Sequence, residues 1–223
     1  MVSAIIPVYN EAPRVAKVLD AVIGHALVDE VIVINDGSSD DSEAVLKARP
    51  SIRLISYRPN RGKSHAALMG LRAAKNELVM ILDADLLGLT PRNITDLIEP
   101  VAAGDADMSL TLRQNSLHIY RFFGLDFVSG ERVFHKYIIR DLETLGRLPG
   151  YGLESFLNEI VVQKKMRLKV VRWDNVICPR KSAKVGWWAG TTADFQMVWS
   201  IISYLSLPGV IKVFLAMRRQ KIK

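Results

Sequence analysis

Two carboxylates one residue apart, Asp83 and Asp85, close the apolar run Leu78-Val-Met-Ile-Leu82. Oxygen donors so spaced suit a hard divalent cation, and such a cation would in turn grip a diphosphate. Three more polar groups stand in the same kind of place. Pro7, Tyr9 and Glu11 follow an apolar start from Ser3, Asp36 to Asp41 follows Glu30–Asn35, and Asn60-Arg-Gly-Lys63 follows Ile52–Tyr57. Asp36 has the chemistry to accept from a uracil or guanine N–H, and Lys63 to meet phosphate or base. Each also has a plain reading. Asp36 is an ordinary turn residue, Lys63 a solvated lysine at a helix start, and Glu11 a first-turn acid complementing a helix dipole.

The elements behind these residues decide whether they meet. The run at 78–82 is too short for a membrane span and lacks an amphipathic period, so it reads as a strand buried on both faces, as in a parallel sheet. Ser3–Tyr9, Glu30–Asn35, Ile52–Tyr57 and Ala106–Leu112 read alike. Helices fall between them. Val15, Val18, Leu19, Val22 and Ile23 form one apolar stripe, His65–Lys75 is rich in Ala and Leu, and Thr90-Pro91 supplies an N-cap with Pro at the first helical position. This alternation predicts a right-handed βαβ series, an α/β/α sandwich on a mainly parallel sheet. Ligands of open α/β sheets bind beyond the carboxyl ends of the strands. Parallel strands would therefore gather all four polar groups on one rim, able to hold base, ribose and diphosphate.

Composition bounds the rest. The chain has 223 residues, 49% hydrophobic, with a formal net charge of +7. That is ample for a full core, and the basic balance suits nucleic acid, anionic lipid or phosphorylated ligands; of these, no nucleic-acid partner is expected. A single cysteine, Cys178, excludes an internal disulfide and a cysteine-only metal site. No His/Cys spacing suggests zinc. The N-terminus shows no basic segment ahead of an apolar one, so no signal peptide is expected. Gly62-Lys63-Ser64 has the end of a phosphate-binding P-loop, but Tyr57 stands where that motif needs glycine. No G-x-G-x-x-G follows the first strand.

Past Arg113 the rhythm changes. Ser129 to Phe134 reads as a turn into a short strand. Pro149-Gly-Tyr-Gly152 breaks the chain before a helix with Leu153, Phe156, Leu157, Ile160 and Val161 on one stripe, and Arg167–Trp173 is a late strand. Met197–Met217 is long enough to span a bilayer, but its serines and Pro208-Gly209 argue for two short pieces. The second, Val210–Met217, runs into the basic end Arg218–Lys223, a pattern that suits either a membrane interface or a helix packed on the core.

Ile5-Ile-Pro-Val-Tyr-Asn-Glu11, Val33-Ile-Asn-Asp-Gly-Ser-Ser-Asp40, Asn60-Arg-Gly-Lys63 and Asp83-Ala-Asp85 resemble, in order and spacing, the motifs of family 2 glycosyltransferases of the GT-A fold. The resemblance covers roughly residues 1–112. It implies a nucleotide-sugar donor (UDP- or GDP-sugar), a Mg²⁺ or Mn²⁺ ion and inversion at the anomeric carbon. It sets Pro7, Tyr9, Glu11, Asp36 and Lys63 on the nucleotide, Asp83 on ribose or metal, and Asp85 on metal. Ser129-Gly-Glu-Arg132 is similar to a segment of polyprenyl-phosphate sugar transferases, which implies a lipid-linked acceptor. In that group Leu-Gln-His-Pro usually follows Asp-Ala-Asp. Leu86-Leu87-Gly88-Leu89 stands here and lacks the metal-side glutamine. An inverting transfer to a hydroxyl needs a base, for which Glu154 and then Asp126 are the candidates; a phosphate acceptor needs none. Arg132, Arg180, Lys181 and Lys184 are expected to add positive charge near the phosphates.

The expected organisation is a GT-A unit over 1–196, with 1–112 holding the donor and 113–196 facing the acceptor, then a C-terminal segment 197–223. The expected place is the cytoplasm, peripheral on the cytoplasmic face of a membrane. The rivals are a sugar-phosphate nucleotidyltransferase, which normally shows a Gly-rich loop after the first strand, and a non-catalytic membrane-associated module of the same fold.

Overall fold

A computed structural model describes residues 1–148, 152–179 and 206–222. Seven strands form one sheet: β1 (Val2–Val8), β2 (Val28–Asp36), β3 (Arg53–Tyr57), β4 (Leu78–Ile81), β5 (Met108–Arg113), β6 (Arg132–His135) and β7 (Leu168–Trp173). Their spatial order is β3-β2-β1-β4-β6-β5-β7. All neighbours run parallel except β6, which is antiparallel to both β4 and β5.

The helices are α1 (Ala12–Val22), α2 (Ser42–Lys47), α3 (Lys63–Ala73), α4 (Pro91–Ala102), α5 (His118–Phe123), α6 (Leu142–Gly146), α7 (Gly152–Gln163) and, near the C-terminus, α8 (Leu207–Gln220). Alternation along each strand feeds two cores. Ile5, Ile32, Ile34 and Ile81 pack with α3, α7 and α8 on one face. Ile6, Val33, Met80 and Leu82 pack with α1 and α4 on the other. Strands buried on both faces read as unbroken apolar runs, which is why the runs at 2–8, 31–34 and 78–82 stand out in the sequence. Gly70 of α3 lies where a Cβ would fall on Ile5 and Ile34, so α3 rides close on the sheet. Thr90 caps α4 in a reciprocal pair with Asn93, as the Thr-Pro signal predicts.

Two features position the site. The chain runs β1-β2-β3 outward on one side and returns to β4 on the other side of β1, so the order reverses between β1 and β4. A crevice opens at such a reversal, beyond the strand ends. The antiparallel β6 then begins at the rim where β4 ends, with Arg132 paired to Ile81. The turn before it, residues 129–131, is thereby delivered beside Asp83.

α8 carries its stripe inward. Val213 and Met217 are buried in the core beside α7, and Phe214 meets Phe123 and Phe127 edge-on. The Ile222 amide donates to the Leu168 carbonyl. Of the apolar residues in Val210–Met217, Ile211 and Leu215 remain exposed. No helix among the described residues is long and apolar enough to cross a membrane. Residues 197–205, with Arg180, Lys181 and Lys184, lie outside the described residues.

Candidate functional site

The ends of β1 and β2 are stitched together by side chains. The Asn10 Oδ1 accepts from the Ser39 amide at 2.8 Å, and the Asn10 amide donates to Ser38 Oγ at 3.0 Å. The Glu11 and Ala12 amides donate to Ser42 Oγ and Asp40 Oδ2. Asn10 holds a positive φ of 55°, a conformation asparagine tolerates better than most residues. Pro7 lies half-buried one residue before the end of β1, Tyr9 is exposed beyond it, and Glu11 is ion-paired with Arg14 at 3.0 Å.

Asp36 ends β2 at 2% exposure and organises the next loop. Its Oδ1 accepts from the Arg61 amide at 2.8 Å. Its Oδ2 accepts from the Gly62 amide at 2.8 Å and from Asn60 Nδ2 at 2.9 Å. Gly37 follows at φ +71°, and a Cβ there would lie 2.7 Å from the Asn60 amide nitrogen. The loop held in this way starts α3 and launches Lys63.

Lys63 stands at the centre of the rim. Its Nζ lies 2.6 Å from Asp83 Oδ1 and 2.7 Å from Glu154 Oε1. Burial alone would depress the ammonium; Asp83 and Glu154 outweigh it and hold the group well above its usual value. Gly130, from the turn before β6, closes over this pair. A Cβ there would strike Lys63 Nζ and come within 2.7 Å of both Asp83 oxygens, so a larger residue would have to displace the ends of these two side chains.

A second buried network lies behind Asp83. Arg113, at the end of β5, reaches Glu131 at 2.6 Å, Asp126 at 3.7 Å and Asp83 at 3.9 Å. Burial opposes its charge, and Glu131 and Asp126 more than restore it. Glu131 also accepts from Thr111 and Ser129, each at 2.7 Å. Asp126 accepts from Ser116 Oγ at 2.6 Å, and burial pushes its carboxyl up.

The two candidate bases and the candidate phosphate arginine are not open to a ligand. Glu154, in the first turn of α7, is 2% exposed; Lys63 holds Oε1, while Oε2 has no hydrogen-bond partner among the described residues. Asp126 is equally sealed. Arg132 corrects the expectation made of it. It is 1% exposed, and its guanidinium donates to the Ser129 and Phe127 carbonyls and to Asn158 Oδ1. Burial pushes it down to about 10. It ties the 127–129 turn to α7 because it lies within β6, beneath the rim.

The opposite flank belongs to Asp85. A ligand atom from each of Asp83, Asp85 and Cys178 lies within 4.8 Å of the others, and Cys178 Sγ is 3.4 Å from both Asp85 oxygens. Burial, then the two aspartates, push this thiol up. The donor set fits a divalent cation, with Asp83 and Asp85 as the oxygen ligands.

Arg113, Gly130, Glu131 and Cys178 were not singled out from sequence as site residues. Arg113 ends a predicted strand just as Asp36 does, so the same rule points to it. Cys178 gives no such signal, because Asp85 is 93 residues away and only the fold joins them.

The sheet order and the rim define a GT-A type α/β fold. A crystal structure of glucosyl-3-phosphoglycerate synthase from Mycobacterium tuberculosis with Mn²⁺ and UDP-glucose superposes with a TM-score of 0.73 at 21% identity, over 91% of this chain and 78% of that one. The model for "Glycosyl transferase family 2" matches residues 3–142, and the chain belongs to that family. Undecaprenyl-phosphate 4-deoxy-4-formamido-L-arabinose transferase from Sodalis glossinidius is 37% identical over 123 residues, covering 51% of this chain and 37% of the relative. A dolichyl-phosphate beta-glucosyltransferase from Trichomonas vaginalis is 33% identical over 96 residues, 37% of this chain and 30% of the relative. The chain thus spans about a third of the length of these curated relatives.

Proposed function

We propose that this protein is an inverting glycosyltransferase that moves a sugar from a UDP- or GDP-sugar to a phosphate acceptor carried on an isoprenoid lipid. The observation that carries the reading is the rim itself. Asp83 and Asp85 leave β4 at the point where strand order reverses, beside the loops from β1, β2 and β3. In this reading 1–112 holds the donor and 113–196 faces the acceptor. Tyr9 and the Pro7–Glu11 loop flank the base, and the Asp36-held loop 60–62 offers the nucleotide a fixed wall. Lys63 keeps a positive charge beside Asp83. A bound Mg²⁺ or Mn²⁺ would stabilise charge on the leaving diphosphate; Asp83 and Asp85 would hold it.

The buried state of both candidate bases favours a phosphate acceptor. A hydroxyl needs its proton removed as it attacks, whereas a phosphate oxygen is already anionic. Glu154 and Asp126 are each bonded within the protein and closed to solvent, which suits positioning rather than proton transfer. The names of the undecaprenyl- and dolichyl-phosphate relatives agree with this acceptor class.

The test is nucleoside-diphosphate release from a panel of UDP- and GDP-sugars with Mn²⁺, with and without a short isoprenyl phosphate. Release stimulated by the isoprenyl phosphate is expected. Stimulation by the matching isoprenol or by simple sugars instead would move the acceptor to a hydroxyl and return Glu154 to the role of base. Absence of any donor turnover or donor-induced thermal stabilisation would overturn the reading.

A further inference from the structure

We propose that Cys178 is a third protein ligand to the metal, its thiolate completing the site with Asp83 and Asp85 and biasing it toward softer divalent ions. This rests on the metal-dependent reading above and adds a residue to it. The sequence after Asp-Ala-Asp offers no further donor, since Leu86-Leu-Gly-Leu89 carries no side-chain oxygen or nitrogen. The fold brings one from 93 residues further along the chain.

That placement is fixed by more than one set of bonds. The Leu87 amide donates to the Ile177 carbonyl at 2.9 Å, and the Ile177 amide returns to Leu87 at 3.0 Å. This two-residue bridge lays the 177–178 segment along the exit of Asp85. Asn175 Nδ2 donates to the Gly88 carbonyl at 2.7 Å. A Cβ at Gly88 would strike the Asn175 carbonyl oxygen, so the two loops touch backbone to backbone. From the β5 side, the Gln114 amide donates to the Val176 carbonyl at 3.1 Å. Asn115 grips Cys178 twice, Nδ2 donating to its carbonyl at 2.7 Å and Oδ1 accepting from its amide at 3.2 Å. The residue is therefore held by its own backbone, and its side chain is aimed at Asp85.

The chemistry fits that aim. Metal–sulfur and metal–oxygen bonds of roughly 2.3 and 2.1 Å place donors around one ion about 3–4 Å apart. Sγ lies 3.4 Å from both Asp85 oxygens, within the span of the whole trio. A thiolate among hard oxygen ligands moves preference away from Mg²⁺ toward Mn²⁺ and, further, Zn²⁺ or Cd²⁺. On binding, the S–H proton leaves to solvent and the sulfur lone pair goes to the metal. No redox change is involved.

Cys178 is the single cysteine of the chain, so thiolate-to-metal charge transfer reports on one atom. Titration of the protein with Cd²⁺ or Co²⁺ should give a sulfur-to-metal charge-transfer band saturating at one ion per chain. Cys178→Ser should lose the band, keep its fold by circular dichroism, and still bind Mn²⁺ in electron paramagnetic resonance, with affinity lower by roughly tenfold, the scale at which metal sites respond to loss of a supporting partner. Mn²⁺ should also slow alkylation of the wild-type thiol. Asp85→Asn should weaken the Cd²⁺ band together with Mn²⁺ binding. A band unchanged in Asp85→Asn would mean that the thiol binds cadmium alone, and the proposal would be wrong. Equal Mn²⁺ affinity in wild type and Cys178→Ser, with no band, would remove the cysteine and leave the aspartate site standing. Failure of wild type to bind Mn²⁺ even with UDP present would remove both.

Discussion

At the scale of single residues, the site is a set of buried charges that hold one another. Lys63 bridges Asp83 and Glu154, and its removal takes the ion-pair partner from the buried Glu154 carboxylate. Stranding a fully buried charge costs about 3–5 kcal/mol, less here because Lys63 is partly exposed, while replacing both partners with apolar groups is often neutral. Lys63→Met is therefore expected to lower stability by part of that amount in urea unfolding, and Lys63→Met with Glu154→Leu to recover most of it. Equal stability of the single variant and wild type would show the pair to be incidental. The ammonium is held above its ordinary value of 10.5. The folded state thus binds this proton more tightly than the unfolded chain, and the contribution is complete below pH 10.5 and lost only above it. The Lys63→Met deficit should accordingly stay constant across the neutral range. Gly130 makes a second expectation. Alanine there would press on both Asp83 oxygens and Lys63, and overpacking of this kind costs about 1–3 kcal/mol. Gly130→Ala should lose Mn²⁺-dependent UDP binding in calorimetry while its circular dichroism stays native; retained affinity would mean that the turn can move away.

At the scale of elements, the loops between strand and helix build the rim proposed to hold the donor. The sequence places Asp36 against the base, and in the structure each of its oxygens is engaged by the chain itself, in bonds that fix residues 60–62. Asp36→Ala is expected to weaken UDP or GDP binding by loosening that wall, and to make the Arg61–Gly62 amides exchange faster with deuterium. Weakened binding without faster exchange would point instead to direct contact with the base. How much was legible follows from the same physics. Doubly buried strands announce themselves as apolar runs, so β1, β2 and β4 and the rim at their ends could be read from spacing. The direction of β6 could not, because four residues carry no mark of whether their neighbours run with or against them. Nor could the burial of Arg132, since an arginine in a Ser-Gly-x-Arg turn looks the same whether it points out to a phosphate or in to Asn158. The short α5 and α6 have too few turns for a stripe. Cys178 reaches Asp85 through tertiary bonds alone.

At the scale of the whole molecule, the question is where the rim and the proposed isoprenoid acceptor would meet. α8 spends Val213 and Met217 on the core, so burial of its whole apolar stripe in lipid is excluded. What it leaves outside is Ile211 and Leu215, one turn apart, flanked by Lys212, Arg218 and Arg219. α5 lies alongside. Phe123 meets Phe214, Arg218 sits over the Phe123 ring, and Lys221 donates to the Gly124 carbonyl. α5 adds Ile119 and Phe122, the latter 84% exposed. Apolar side chains set among cations suit an anionic bilayer surface, and each Lys or Arg near it contributes about 1 kcal/mol. With a net charge of +7, the protein is expected to float with liposomes containing anionic lipid, to stay behind with neutral ones, and to release as salt shortens the reach of the charges. Phe122→Asp together with Leu215→Asp should abolish flotation while leaving donor hydrolysis in solution unchanged, because neither residue touches the rim. Transfer to a long-chain isoprenyl phosphate in vesicles should fall in that variant, and transfer to a short, water-soluble one should not. Undiminished flotation of the double variant would place the membrane contact elsewhere on the surface, and equal activity on both acceptors would detach the α5–α8 face from acceptor delivery.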